Sequence, residues 1–257
     1  MVVIKYSTLV LLILALALAS ARYQRYICQV IEDDWCTLQK IYITSRTDVR
    51  GLRFPDDQFD KIRIGQHYDF ADTDSVVSIF SAGLFRRMSR ARYLQMNAVR
   101  MQGLDMPDTV LDLDVSNNWI SRIYIDPDKS YSLRKLKMKN NLVTSVASFK
   151  YLNQLEELDM SENLVHLVNF ELFAFMPYIR IIDFAHNRLL EVRPGDIDLV
   201  LYYLERLDLA DNQLIGIGLK KWTFPSLRML NVTGNPIQRL DYFELQRAFP
   251  RLRRVTY

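Results

Sequence analysis

One eleven-residue line occurs five times between Leu133 and Ile237. It reads LxxLxLxxNxL, with Met, Ile, Phe or Val admitted at the apolar slots. The copies are LRKLKMKNNLV from Leu133, LEELDMSENLV from Leu155, IRIIDFAHNRL from Ile179, LERLDLADNQL from Leu204 and LRMLNVTGNPI from Leu227. Their starts lie 22, 24, 25 and 23 residues apart. Within a line, apolar slots four and six alternate with polar neighbours, which is the period of a strand with one buried face. About a dozen residues lead back to the next line, enough for a parallel crossover and too many for a hairpin. One repeat cannot bury its own apolar edge, so the copies stack and share a core.

That period and pattern are those of leucine-rich repeats. The expected fold is a right-handed α/β solenoid, with parallel strands on the concave face and irregular turns and short helices outside. The slot-nine side chains Asn141, Asn163, Asn187, Asn212 and Asn235 fall where the chain turns inward. An amide carries both donors and acceptors, so these five are expected to form an internal ladder satisfying turn backbone, rather than a polar binding row.

Fainter copies precede Leu133. Leu38/Ile41/Ile43 and Phe59/Ile62/Ile64 fit the first apolar slots, Ala91/Leu94/Met96/Val99/Met101 lacks the Asn, and Val110/Leu113/Val115/Asn118/Ile120 restores it. The polar stretch 65–75 reads as a loop insertion, with Val77, Phe85 and Met88 on the convex side of that enlarged repeat. This gives nine lines and a tenth strand starting at Leu252. Phe149, Phe173, Trp222 and Phe243 recur ahead of the next line and are expected to form a buried convex spine. With Leu252, Val255 and Tyr257 in core slots of that last strand, the C-terminal end is expected to form a non-covalent interface, unless the sequence continues.

Residues 1–21 read as a secretory signal peptide. Lys5 supplies the positive start, Leu9 to Ala19 an apolar run too short for a comfortable membrane span, and Ala19-Ser20-Ala21 the small residues for cleavage. Residues 22–37 then form a cysteine cap and 38–257 the repeat domain. Cys28 and Cys36 are the only cysteines. In an oxidising compartment they are expected to pair and cap the stack. Two thiols without a neighbouring His leave a metal ligand set incomplete, and the spacing is not that of a redox CxxC pair.

Little in the chain points to chemistry. The three histidines, His67, His166 and His186, are scattered over different repeats, and no nucleophile elbow, HExxH or P-loop occurs. No enzyme activity, cofactor or metal is expected. The net charge of +3, with both signs interspersed, gives no nucleic-acid footprint. The concave face is the expected working surface. It should carry a basic stripe (Arg134, Lys135, Lys137, Lys139) beside an acidic field (Glu157, Asp159, Asp183, Asp208), with Tyr42, Tyr93, Ile181 and Met229 as apolar anchors for a protein partner. The blander reading is that the slot-five Asp residues merely keep an exposed strand face solvated. Asn231-Val232-Thr233 is the one N-x-[ST] sequon. Asn231 is either glycosylated, blocking the C-terminal part of the groove, or an unused sequon on a strand.

The opening Tyr26, Cys28, Asp33, Cys36, the following Ile41-Tyr42-Ile43 and the stretch Ser78 to Val99 resemble secreted leucine-rich-repeat proteins of insects, above all the mosquito leucine-rich immune molecules. That resemblance implies a secreted, extracellular haemolymph protein of innate immunity, binding a complement-like or sibling repeat protein. The alternative it leaves is an extracellular structural or adhesion protein acting as a subunit of an assembly. The family's C-terminal cysteine module and coiled coil have no counterpart here, so its covalent pairing is not expected of these residues.

Overall fold

The computed structural model describes residues 24–44, 52–54, 59–65, 74–193 and 195–257. The expected signal peptide, most of the 65–75 insertion and His67 lie outside these residues.

Ten short strands run parallel and in register, from Trp35–Leu38 at one end to Arg254–Thr256 at the other. Slot four sets the register: Leu113 pairs with Leu136, then Leu158, Ile182, Leu207, Leu230 and Val255. The first six of these are at most 1% exposed. Each strand has one buried face against the shared core and one open face, so the chain is a leucine-rich-repeat solenoid with its parallel sheet on the concave side. The convex side holds the short helices Ala82–Phe85 and Tyr242–Ala248, 3-10 turns at Ala147–Tyr151 and Phe170–Phe175, and small parallel sheets of two or three strands.

An antiparallel strand, Val30–Glu32, caps the N-terminal end by pairing with Trp35–Leu38. The two-residue turn between them has Asp33 at φ 49° and Asp34 at φ 65°. Positive φ at both positions suits the twist of a tight hairpin, and Asp tolerates it. Cys28 and Cys36 are disulfide-bonded, with Cα atoms 5.2 Å apart.

The first parallel strand is not Leu38–Ile43. Cys36 pairs with Ile62 and Leu38 with Ile64, so these two residues occupy slots four and six. A bridged, fully buried Cys serves as a small hydrophobe there, which the apolar pattern alone does not reveal. Ile41 consequently stands in the Asn slot, and the Ser75 hydroxyl accepts its N–H at 2.9 Å. Tyr42 is displaced with it. Its strand, Tyr42–Ile43, pairs with Val76–Val77 in a separate two-stranded sheet.

Phe149, Phe173 and Trp222 are fully buried, but Phe243 is 78% exposed. Asp241 caps the helix Tyr242–Ala248, its carboxylate accepting the N–H groups of Phe243 and Glu244 at 2.9 and 3.2 Å. Helical spacing from that start turns Leu245 and Ala248 inward and leaves Phe243 outside. Phe249 takes the place in the spine, its ring 5.2 Å from Phe224.

Candidate protein-binding surface

The Asn ladder fixes the turns that follow each concave strand. In Asn163, Oδ1 accepts the Val143 N–H at 3.0 Å while Nδ2 donates to the carbonyls of Met138, Met160 and Ser161. Asn141, Asn187, Asn212 and Asn235 repeat the arrangement one turn at a time. Asn118 begins it, accepting from both Val99 and Met101. Five of these six amides are buried and Asn235, in the last of the lines, is half-buried; all leave the concave face to other slots.

Slot eight turns each described line with a positive φ, at Lys40, Ala98, Asn117, Asn140, Glu162, His186, Asp211 and Gly234. Seven of these eight are not glycine, so the sequence carries no glycine signal for the turn. Slot five also has a structural task. Asp114, Asp159, Asp183 and Asp208 each accept the N–H two residues further on, at 3.1, 2.9, 2.9 and 3.2 Å. The slot-five acids therefore pin the start of the turn as well as facing the groove.

Charge on the open face is paired more than the separate strands suggest. Lys135 meets Glu157 at 2.8 Å, Lys139 meets Glu162 at 3.0 Å and Arg134 meets Glu156 at 3.8 Å. The basic stripe and acidic field are successive in-register strands, so they neutralise one another in part. Hydrogen bonding to Glu157 and to Glu162 raises the Lys135 and Lys139 ammonium groups above their ordinary range. Lys137 lies beside Asp112, whose carboxyl is raised by burial against the pull of Lys137 and Lys135.

Further along, Asp159, Asp183 and Asp208 sit opposite one another on three consecutive strands. Arg206 reaches two of them, at 3.1 Å from Asp208 and 3.7 Å from Asp183. Asp183 is half-buried and Asp208 is buried, which differs from the freely solvated carboxylates of the simple reading. Burial pushes the Asp183 carboxyl up to about 6; the Ala185 N–H opposes the shift and the Asp208 and Asp159 charges add to it. Tyr93, Ile181 and Met229 all lie half-buried in slot three of the concave sheet. Tyr42 does not join them. His186 is on this face, 3.4 Å from Asp211, whereas His166 is exposed beside the small sheet of Leu167–Asn169 and Glu191–Arg193, away from the concave strands.

Asn231 is half-buried on the floor of the groove. Its Nδ2 donates to Asp208 at 3.2 Å, and its Oδ1 accepts from the Thr233 and Thr256 hydroxyls at 2.7 and 2.6 Å. Sequence reasoning missed Arg206 and the pairing across strands. The signal existed, since Lys135 and Glu157 share slot three and register follows slot number.

These features define a leucine-rich-repeat domain with an open, side-chain-rich concave sheet. No family model matches the chain. It is similar to Chaoptin of Drosophila melanogaster, at 26% identity over 50% of this chain and 14% of that protein. Among solved structures it is similar to the leucine-rich repeat domain of APL1B, with TM-score 0.55 and 16% identity over 100% of this chain and 88% of that one. The LRIM1/APL1C complex gives TM-score 0.50 and 16% identity over 89% and 62%. The TLR13–ssRNA13 complex gives 0.56 and 18% over 77% and 28%. At such identities the likeness is one of fold. The chain spans a small part of Chaoptin's length and less than two thirds of the LRIM1/APL1C chain. Among the described residues no helix is long and apolar enough to cross a membrane.

Proposed function

We propose that the chain is a secreted, non-enzymatic protein-binding module of insect innate immunity that holds a complement-like or sibling repeat protein against its concave face. The observation that carries the reading is the face itself. Ten in-register strands present outward side chains over a groove whose ladder amides are already hydrogen-bonded to turn backbone. Mosquito leucine-rich immune proteins share this fold, and one of them is solved as a complex of two such chains. Tyr93, Ile181 and Met229 are the anchors of contact, and Arg134, Lys135, Lys137, Lys139, Glu157, Asp159, Asp183 and Asp208 set its orientation. A glycan on Asn231 would confine the partner to the N-terminal strands; a mobility shift of the secreted chain on glycosidase treatment reports it.

The test is a pull-down from insect haemolymph with the wild-type chain and with Ile181→Asp. Soluble complement-like or repeat proteins, captured by the wild type and lost with the variant, support the reading. Equal capture by both chains rules out the concave face. Recovery of matrix or cell-surface proteins instead would favour an adhesive assembly.

A further inference from the structure

On the flank where the chain enters the concave strands, two repeats carry an exposed aromatic patch. Tyr178 and Tyr203 each stand immediately before slot one, and Phe175 and Val200 each stand three residues earlier. With Tyr202 beside them, the five are 38–65% exposed. A large aromatic offers about 150–250 Å², so the patch leaves roughly 500 Å² of apolar surface in water. That is the size at which surface patches are commonly functional.

Slot two borders this patch and alternates in sign over five repeats: Arg134, Glu156, Arg180, Glu205, Arg228. These residues are direct neighbours. The Glu156 N–H donates to the Arg134 carbonyl at 2.7 Å, Arg180 to Glu156 at 2.7 Å, Glu205 to Arg180 at 2.8 Å and Arg228 to Glu205 at 2.9 Å. Within the chain, the Arg180 guanidinium also pairs with the Glu205 carboxylate at 2.9 Å, with both side chains still open to solvent.

We infer that a second copy of this chain covers the patch, side by side and antiparallel, with the two-fold axis passing between Tyr178 and Tyr203. A two-fold in the contact plane, perpendicular to the solenoid axis, reverses the order of repeats and keeps each slot opposite itself. The tyrosines then meet tyrosines at the centre. Arg180 faces Glu205 of the second copy, Glu205 faces its Arg180, and Glu156 and Arg228 face each other one repeat out. An alternating ladder complements its own reversed copy, which is why the occupant is this chain rather than an unrelated protein. One repeat further, Arg134 would face Arg253, so the contact is limited to the four repeats between. The tyrosines supply the affinity and the ladder fixes orientation. Both concave grooves stay open on the same side of the dimer.

The test is sedimentation of the full secreted chain at micromolar concentration. A reversible dimer is expected. Arg180→Glu and Glu205→Arg should each weaken it about tenfold or more, because each sets like charges opposite one another. The double variant R180E/E205R should recover most of the loss, since the charges across the axis are again opposite. Unchanged circular dichroism and melting of each variant show that the fold is kept, and Tyr178→Ser/Tyr203→Ser should leave monomers. A wild-type monomer at all concentrations, a dimer indifferent to the charge changes, or a double variant no better than the singles would each overturn the dimer. A wild-type monomer would leave the patch to a different protein.

Discussion

Asp183 has a carboxylate on either side of it in the same row and one shared cation. Its folded-state pKa, about 6, lies above the ordinary 3.8. A raised carboxyl stabilises the fold fully below the unfolded pKa and loses that contribution as pH rises through the folded one. The native state should therefore lose stability from this group between about pH 4 and pH 6. Asn at slot five is already used by the chain: Asn231 accepts the Thr233 N–H there. Asp183→Asn should thus keep the turn and remove the buried charge. We expect it to gain on the order of 2 kcal/mol over the wild type at pH 7, and little at pH 4. Urea midpoints of both proteins at the two pH values measure it; an identical difference at both would refute the role of this group. Asn187 behaves oppositely. Asn187→Ala leaves the buried Val165 N–H without its acceptor, while the Met160, Phe184 and Ala185 carbonyls each lose one of two donors and keep Asn163, Asn212 and the Glu162 N–H. A loss of about 1–3 kcal/mol is expected in the same midpoint measurement, the cost of one buried unpaired group.

At the scale of elements, the concave strands were legible because slots four and six are apolar in line after line and Asn recurs at nine. The cap was legible as a disulfide but not as a strand: Cys36 reads as half of a bridge and only its pairing with Ile62 shows that it also fills slot four. The convex side was less legible, because there the backbone changes among 3-10 turns, α-turns and two-residue strands. Phe243 and Phe249 show the difference. Both are aromatic and near one helix, and only the position of the Asp241 cap decides which one faces inward. Phe249→Ala should cost about 3–5 kcal/mol and Phe243→Ala within about 0.5 kcal/mol, read as chemical-denaturation midpoints. At the other end, replacing Cys28 and Cys36 with Ser should cost about 2–3 kcal/mol for so short a loop. Hydrogen exchange should show the loss first in residues 30–38, the capping hairpin, and protection unchanged there would mean the bridge does not hold it.

For the whole molecule, a solenoid couples mainly neighbour to neighbour, and its sheet does so here: each concave strand is bonded only to those beside it. The aromatic spine adds a longer link. Phe170 follows the line that begins at Leu155, and Trp222 follows the one that begins at Leu204. Their rings nevertheless stack at 4.5 Å, across the intervening repeat. Beyond its concave strand, where Phe184 is buried, that repeat contributes Leu189, Val192, Leu199 and Leu201 to the core, none of them aromatic, so larger rings from either side fill the space there. Trp222 also lies 5.1 Å from Phe224, which continues to Phe249. Removing it opens a cavity and cuts the stacked path that, among the described residues, links the middle to the last repeats. Trp222→Ala should therefore cost about 3–5 kcal/mol and also divide the unfolding transition. Amides of residues 206–256 should exchange faster while those of 112–159 keep their protection. A uniform fall in protection along the solenoid would show that the sheet alone carries the coupling and that the spine serves only as packing.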